Sequence, residues 1–192
     1  MPSHSFTKRV LDVALCLAAA PIAVPLCMLL LIAIRLESSG APLLIQRRVG
    51  REGRVFPMWK LRTMFADTAD LPSHQVGAAR ITRLGRILRK LKFDELPQLA
   101  NVLVGQMSLI GPRPCLPSQQ ELIEARRIRG VLQYLPGITG PAQLMGVDMS
   151  EPVRLAEIEA EYCARASLRS DLQLLIRTAL GAGSGDAALK RP

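Results

Sequence analysis

Two adjacent carboxylates, Asp94 and Glu95, stand in the stretch LKFDELPQLANVLVGQMSLIGPRP (91–114), after an arginine-rich run and before an apolar segment that closes on Gly111-Pro112-Arg113-Pro114. Carboxylates ringed by fixed cations suit phosphate chemistry. A carboxylate can attack a phosphoryl group covalently, and arginines can steady the charge on the transferring and departing oxygens. A carboxylate beside a diphosphate repels it unless a cation lies between, and Mg²⁺ typically takes one or two protein carboxylates plus phosphate oxygens. The sequence therefore calls for Mg²⁺. The plainer reading makes Asp94 the N-cap of a helix over 95–104, with Pro97 in its first turn and Glu95 a favourable charge there. Arg113, held between two prolines, and the approach through Arg89 favour the chemical reading.

These groups need elements to position them. Arg80, Arg83, Arg86, Arg89 and Lys90 recur at three- or four-residue intervals with Leu84, Ile87, Leu88 and Leu91 between them, which predicts a one-sided helix over 81–91. Most of that stripe also suits a solvated face or adhesion to anionic headgroups. LLIQRRVG and REGRVFPMWKLRTM predict a β-hairpin. Residues 66–79 and 114–133 read as loops, 153–180 as one or two amphipathic helices in which core and surface packing explain Tyr162 and Asp171 as well as a functional role would, and 181–192 as a flexible tail.

The N-terminal run VLDVALCLAAAPIAVPLCMLLLIAI (10–34) carries a single charge, Asp12, and is long enough to cross a hydrocarbon layer as a straight helix. Pro21 and Pro25 fall in its middle and free the carbonyls of Leu17 and Pro21, so a kink or break is expected there. Each arm is then roughly 16 Å long, about half the layer. Lys8 and Arg9 precede the segment, and Arg35, Arg47, Arg48, Arg51 and Arg54 follow it. A span would put one basic cluster outside, whereas a re-entrant helix keeps both on the cytoplasmic side. A secretory signal is disfavoured because the apolar run continues past AAA at 18–20.

The net charge of +9 requires an anionic partner, but aromatic residues make up only 4% of the chain, too few for the stacking platforms of a single-stranded nucleic-acid binder. Cys16, Cys27, Cys115 and Cys163 form no C-x-x-C pair, which argues against a disulfide framework or zinc site, and the two histidines have no metal-type neighbours.

KLRTM (60–64), ITRLGRILRK (81–90), DELPQLANVLVGQMSLIGPRP (94–114) and LPGITGPAQLMG (135–146), in that order, resemble the bacterial sugar transferase family, the monotopic polyprenyl-phosphate phosphoglycosyl transferases. KRVLD (8–12) is similar to the family's opening, and Pro25 to its helix-breaking proline. The resemblance implies an α+β, mostly helical fold: a re-entrant membrane helix over 1–39, a catalytic domain over 40–180 and a tail over 181–192. It implies that Asp94 attacks the β-phosphorus of a UDP-sugar, that UMP leaves, and that polyprenyl (undecaprenyl) phosphate then takes the sugar phosphate. Glu95 would bind Mg²⁺, and Lys60, Arg89, Pro112 and Arg113 would bind the donor. The implied location is the cytoplasmic face of a bacterial inner membrane, in contact with lipid; a homo-oligomer is compatible with the sequence, which does not fix it. The resemblance departs at Val24, where the family has serine, and at Gln106, Leu135 and Val147, where it has charges. A non-catalytic scaffold on anionic lipid would explain the charge and the apolar segment, but not DELPQL and GPRP in sequence.

Overall fold

The apolar N-terminal run folds as one helix, α1 (Phe6–Glu37), in a computed structural model that describes residues 6–65 and 80–181. Helical geometry continues through Pro21 and Pro25, so the break expected there is absent. Each proline removes only one donor from the ladder, and both arms are pinned to the rest of the molecule. In the first arm, Arg9 donates to the carbonyls of Val102 (2.6 Å) and Leu103 (2.9 Å), while Asp12 accepts from the Ser108 hydroxyl (2.7 Å) and the Leu109 N–H (3.3 Å). Lys8 pairs with Asp171, which also accepts from the Tyr162 hydroxyl. In the second arm, Ile34 packs on Leu61 and Leu88, and the Glu37 carboxylate accepts from the Leu84 N–H at 2.9 Å.

The predicted hairpin forms: β1 (Leu43–Val49) and β2 (Val55–Leu61) pair antiparallel, Leu43 opposite Leu61 and Val49 opposite Val55. Next among the described residues comes α2 (Arg83–Leu91), capped by the Thr82 hydroxyl, which accepts from the Gly85 N–H at 2.9 Å. Lys92 closes it in the left-handed region at φ 59°. The chain continues through α3 (Gln98–Leu103), β3 (Ser108–Ile110), α4 (Gln120–Ile128), β4 (Gly137–Thr139), α5 (Pro141–Leu144), α6 (Pro152–Arg165) and α7 (Leu168–Ala179). The stretch 114–133, expected as loop, thus contains α4 and a short 3₁₀ turn at Val131–Gln133. The stretch 153–180 resolves into two helices, divided at Ser167, whose hydroxyl caps α7. The architecture is α+β and mostly helical. The expected loop over 66–79 and the tail beyond Gly181 lie outside the described residues.

β3 and β4 pair in parallel and bring GPRP against LPGITG. Gly111 donates to Thr139 (3.0 Å) and Gly137 to Pro112 (2.9 Å). The backbones approach so closely that a Cβ on Gly137 would lie 2.1 Å from the Gly111 nitrogen, and one on Gly140 2.3 Å from the Gly111 oxygen. Only glycine fits there.

Among the described residues, three apolar clusters form the interior. One joins Val49 and Cys115 to Leu122, Ile123 and Ala125 of α4 and to Leu155 and Ala156 of α6. A second sets Cys16 of α1 among Phe56, Met58, Val102 and Met107, and the third sets Ile34 of α1 against Leu61 and Leu88. The two arms of α1 therefore dock at opposite ends of β2.

Candidate active site

Asp94 does not cap a helix. It lies in a 3₁₀ turn, Phe93–Glu95, and α3 begins only at Gln98, so the expected helix over 95–104 is shorter and starts later. The intervening amides bond three residues back: Glu95 to Lys92 (3.3 Å), Leu96 to Phe93 (3.2 Å), Leu99 to Leu96 (3.1 Å) and Ala100 to Pro97 (3.1 Å). Pro97 has no N–H, and this tighter winding satisfies its neighbours without a side-chain cap. Asp94 is only 7% exposed and its carboxylate serves no capping bond. At three residues per turn, Asp94 and Glu95 leave the backbone about 120° apart.

Three elements bring cations to this turn. Lys60, near the end of β2, places its Nζ 3.4 Å from Asp94 Oδ2 and 3.6 Å from Glu95 Oε1. Arg113 donates from Nη2 to Glu95 Oε1 at 2.7 Å. Arg89, on α2, is oriented by a 2.8 Å bond from its Nε to the Thr63 hydroxyl, and its charge acts on Asp94. Burial pushes the Asp94 carboxyl above the ordinary aspartate range, with Lys60 pulling it back and the Glu95 charge adding to the rise. Burial works against the Glu95 charge as well, yet Arg113, Lys60 and the Arg113 hydrogen bond outweigh it and hold that carboxyl at about 2. The neighbours are thus driven apart, one toward a basic carboxylate and the other toward a permanent anion.

Of the residues singled out from sequence, Asp94, Glu95, Lys60, Arg89 and Arg113 converge here, and Pro112 shapes the turn carrying Arg113. Pro21 and Pro25 lie apart, in α1. Four consecutive carbonyls hold that turn from several sides. Pro112 accepts from Gly137 (2.9 Å), Arg113 from Arg126 (2.8 Å), Pro114 from Arg48 (3.2 Å) and Cys115 from the Val49 N–H (2.8 Å).

Sequence reasoning missed several participants. Lys92 lies close enough to Glu95 and Arg113 for their charges to act on it. Asn101, fully buried, accepts from the Trp59 N–H (3.0 Å) and donates to Pro57 (2.8 Å), which ties α3 to β2 just ahead of Lys60. A lone amide inside the apolar run LANVLV was the available signal, since a buried polar group needs partners. Arg126 and Glu159 gave no such signal, being charges in helices rich in charge. Of the departures from the family pattern, Val147 is buried in the core, Gln106 accepts from Asn101 at 2.7 Å, and Leu135 lines a groove beside the hairpin turn.

The donor set suits a hard divalent cation that arrives with phosphate ligands. The Glu95 carboxylate stays ionised, and the Lys60 and Arg113 contacts both fall on its Oε1. Among the described residues no cluster of three or more acidic, histidine or cysteine side chains forms an all-protein cage, the arrangement Mg²⁺ seldom uses when phosphates complete its shell.

The sequence profile described as bacterial sugar transferase matches residues 3–183. A UDP-glucose:undecaprenyl-phosphate glucose-1-phosphate transferase of Caulobacter vibrioides is 42% identical, over 89% of this chain and 67% of that protein. A UDP-N-acetylgalactosamine-undecaprenyl-phosphate N-acetylgalactosaminephosphotransferase of Aeromonas hydrophila is 35% identical, over 92% of this chain but 44% of its own length. The exopolysaccharide production protein ExoY of Rhizobium meliloti is 31% identical, over 92% of this chain and 85% of its own. The chain therefore spans less than half of some relatives and most of others. With the profile running over nearly its whole length, this chain belongs to the bacterial sugar transferase family.

Proposed function

We propose that this chain is a phosphoglycosyl transferase that moves a sugar-1-phosphate from a UDP-sugar to undecaprenyl phosphate, as the first membrane step of glycoconjugate or exopolysaccharide assembly. An Asp94 oxygen attacks the β-phosphorus of the donor. The bond from that phosphorus to the bridging oxygen breaks, its electron pair leaves with UMP, and a phospho-sugar remains on the carboxylate. An oxygen of the lipid phosphate then attacks the same phosphorus, the Asp94–phosphorus bond breaks, and the carboxylate is restored. Mg²⁺ bound through Glu95 would supply neutralising charge to the diphosphate. Lys60 and Arg89 face Asp94 and Arg113 faces Glu95, so donor phosphates entering here meet fixed positive charge.

One observation carries this reading: two adjacent carboxylates, Asp94 buried and Glu95 nearly so, neither used as a helix cap, share Lys60 and diverge in basicity. The relatives' named activities support the substrate class. Incubating membranes that contain the protein with a panel of UDP-sugars, Mg²⁺ and undecaprenyl phosphate should release UMP with one or a few donors, and chelation of Mg²⁺ should stop it. Absence of release across the panel would refute the proposal.

The reaction needs a membrane face, and α1 suits one. Among the described residues it is the one helix long and apolar enough to cross a bilayer, yet both its arms bind the same body. A body on one side cannot grip both ends of a crossing helix, which supports a dip into one leaflet, with Pro21 and Pro25 each removing a ladder donor where such a dip would flex. Leu168, Leu172 and Ile176 of α7, like Ile87 and Leu91 of α2, expose apolar side chains at four-residue spacing beside Arg169, Arg177, Arg83 and Lys90. Such strips suit an interface with anionic lipid. We place the active site at the cytoplasmic face of the inner membrane, where a cytosolic nucleotide and a lipid phosphate can both reach Asp94.

A further inference from the structure

We propose that the buried Arg126–Glu159 pair is a positioning device that aims Arg113 at the dyad; the inference rests on the reading of Arg113 as a donor-binding group. Arg126 of α4 and Glu159 of α6 are 2% and 1% exposed. They meet fork to fork, with Arg126 Nε 2.7 Å from Glu159 Oε2 and Nη2 2.6 Å from Oε1. A buried ion pair is weak evidence for stability, because apolar residues often replace one without loss. This pair has a further output. Glu159 Oε1 accepts from the Arg113 N–H at 3.3 Å, and Arg126 Nη2 donates to the Arg113 carbonyl at 2.8 Å.

Both main-chain polar groups of one residue are thus gripped by two charges that also grip each other. The flanking prolines fix their own φ and restrict the residue between them, while the clamp fixes the remaining freedom of Arg113 itself. Its side chain then starts from a fixed backbone to reach Glu95 at 2.7 Å. The clamp's own mounting is the apolar contact of α4 with α6, through Leu122, Ala125, Leu155 and Ala156. Arg126 and Glu159 act through Arg113 and are positioning residues.

The test uses the full chain in lipid nanodiscs and compares Arg126→Met/Glu159→Leu, an apolar pair that leaves no buried charge unpaired, with wild type, Arg113→Ala and the combined variant. The assay donor is UDP-glucose or UDP-N-acetylgalactosamine, whichever the wild type turns over. The pair is expected to lower kcat/KM for the donor by ten- to a hundredfold with Arg113 present, and by less than threefold once Arg113 is alanine. Deuterium exchange at the Arg113 amide, the one backbone N–H between Gly111 and Cys115, should quicken at least tenfold in the pair. Equal losses in both backgrounds, normal kinetics, or unchanged exchange would overturn the clamp. Should the apolar pair not fold, Arg126→Lys, which keeps the charge and drops the fork, is read by the same criteria. The exchange measurement needs no turnover, so a wild type inert toward every donor refutes the reaction while the clamp is still judged by its amide.

Discussion

Burial pushes Asp94 toward its neutral form while Arg113 and Lys60 keep Glu95 ionised, so amide substitutions at the two positions should separate stability from activity in opposite ways. A carboxyl whose pKa is raised on folding contributes stability below its unfolded value and loses it as pH rises through the folded one. At neutral pH the Asp94 charge therefore opposes folding, and Asp94→Asn should abolish UMP release while leaving the thermal midpoint unchanged or higher. Glu95 has the opposite sign: its contribution is present above the unfolded value and lost as pH falls toward about 2. Glu95→Gln should lower the midpoint, by the equivalent of roughly 1.5–3 kcal/mol for a charge-assisted contact, and retain only a trace of turnover that extra Mg²⁺ restores in part. Scanning calorimetry at pH 7 beside a UMP assay reads both. The acid limb of the rate profile should fall above the ordinary aspartate range, because Asp94 must be ionised to attack and burial outweighs the Lys60, Arg89 and Arg113 charges that face it alongside Glu95. A limb at or below that range would show that the titrating group is not Asp94.

The pairing of β3 with β4 is the element most exposed to a single methyl group. Gly137→Ala places a Cβ within 2.1 Å of the Gly111 nitrogen, against backbone rather than a flexible side chain. The variant should be destabilised by more than about 3 kcal/mol, the upper end for overpacking that side chains can absorb, and denaturant unfolding measures it. Arg113→Ala, by contrast, should still fold, with its midpoint lowered about as much as in Glu95→Gln because it removes the same contact, and lose ten- to a hundredfold in kcat/KM for the donor. The hairpin and α2 were legible in sequence because turn residues and period announce them, whereas 153–180 read only as one or two helices, because the Ser167 cap that divides it was not picked out. The helix after the dyad was misread at its start, since DELPQL scores as a cap and first turn whether the winding is α or 3₁₀. The charges of the site were legible as types, but their convergence was not. Lys60 lies 34 residues from Asp94 in the chain, and what joins them is the amide of Asn101 bridging α3 to β2. Local pattern carries no record of such a strut beyond one polar residue in an apolar run. The Arg126–Glu159 clamp is less visible still, for surface helices carry the same residue types.

At the scale of the whole molecule, α1 and the body behave as one unit because Cys16 and Ile34 dock on opposite ends of β2. Cysteines introduced at Phe6 and Ser39 should both react with an impermeant maleimide only from the cytoplasmic side; labelling of Phe6→Cys from outside would make α1 a span. Replacing Pro21 and Pro25 with alanine restores two ladder donors and stiffens a helix of about 48 Å. Activity in membranes should fall several-fold, because a straight helix that long can keep both docking contacts only by lying flat on the leaflet, which moves Asp94 away from the headgroups. Unchanged turnover in that variant would remove the prolines from the account.

The central claim is a covalent bond between Asp94 and a sugar phosphate. Protein in nanodiscs, given Mg²⁺ and the productive UDP-sugar but no lipid acceptor, should release one equivalent of UMP and gain the mass of one sugar phosphate on the peptide that contains Asp94. That adduct should vanish when undecaprenyl phosphate is added and never form in Asp94→Asn. UMP release that proceeds only with acceptor present, with no adduct on any peptide, would contradict the account.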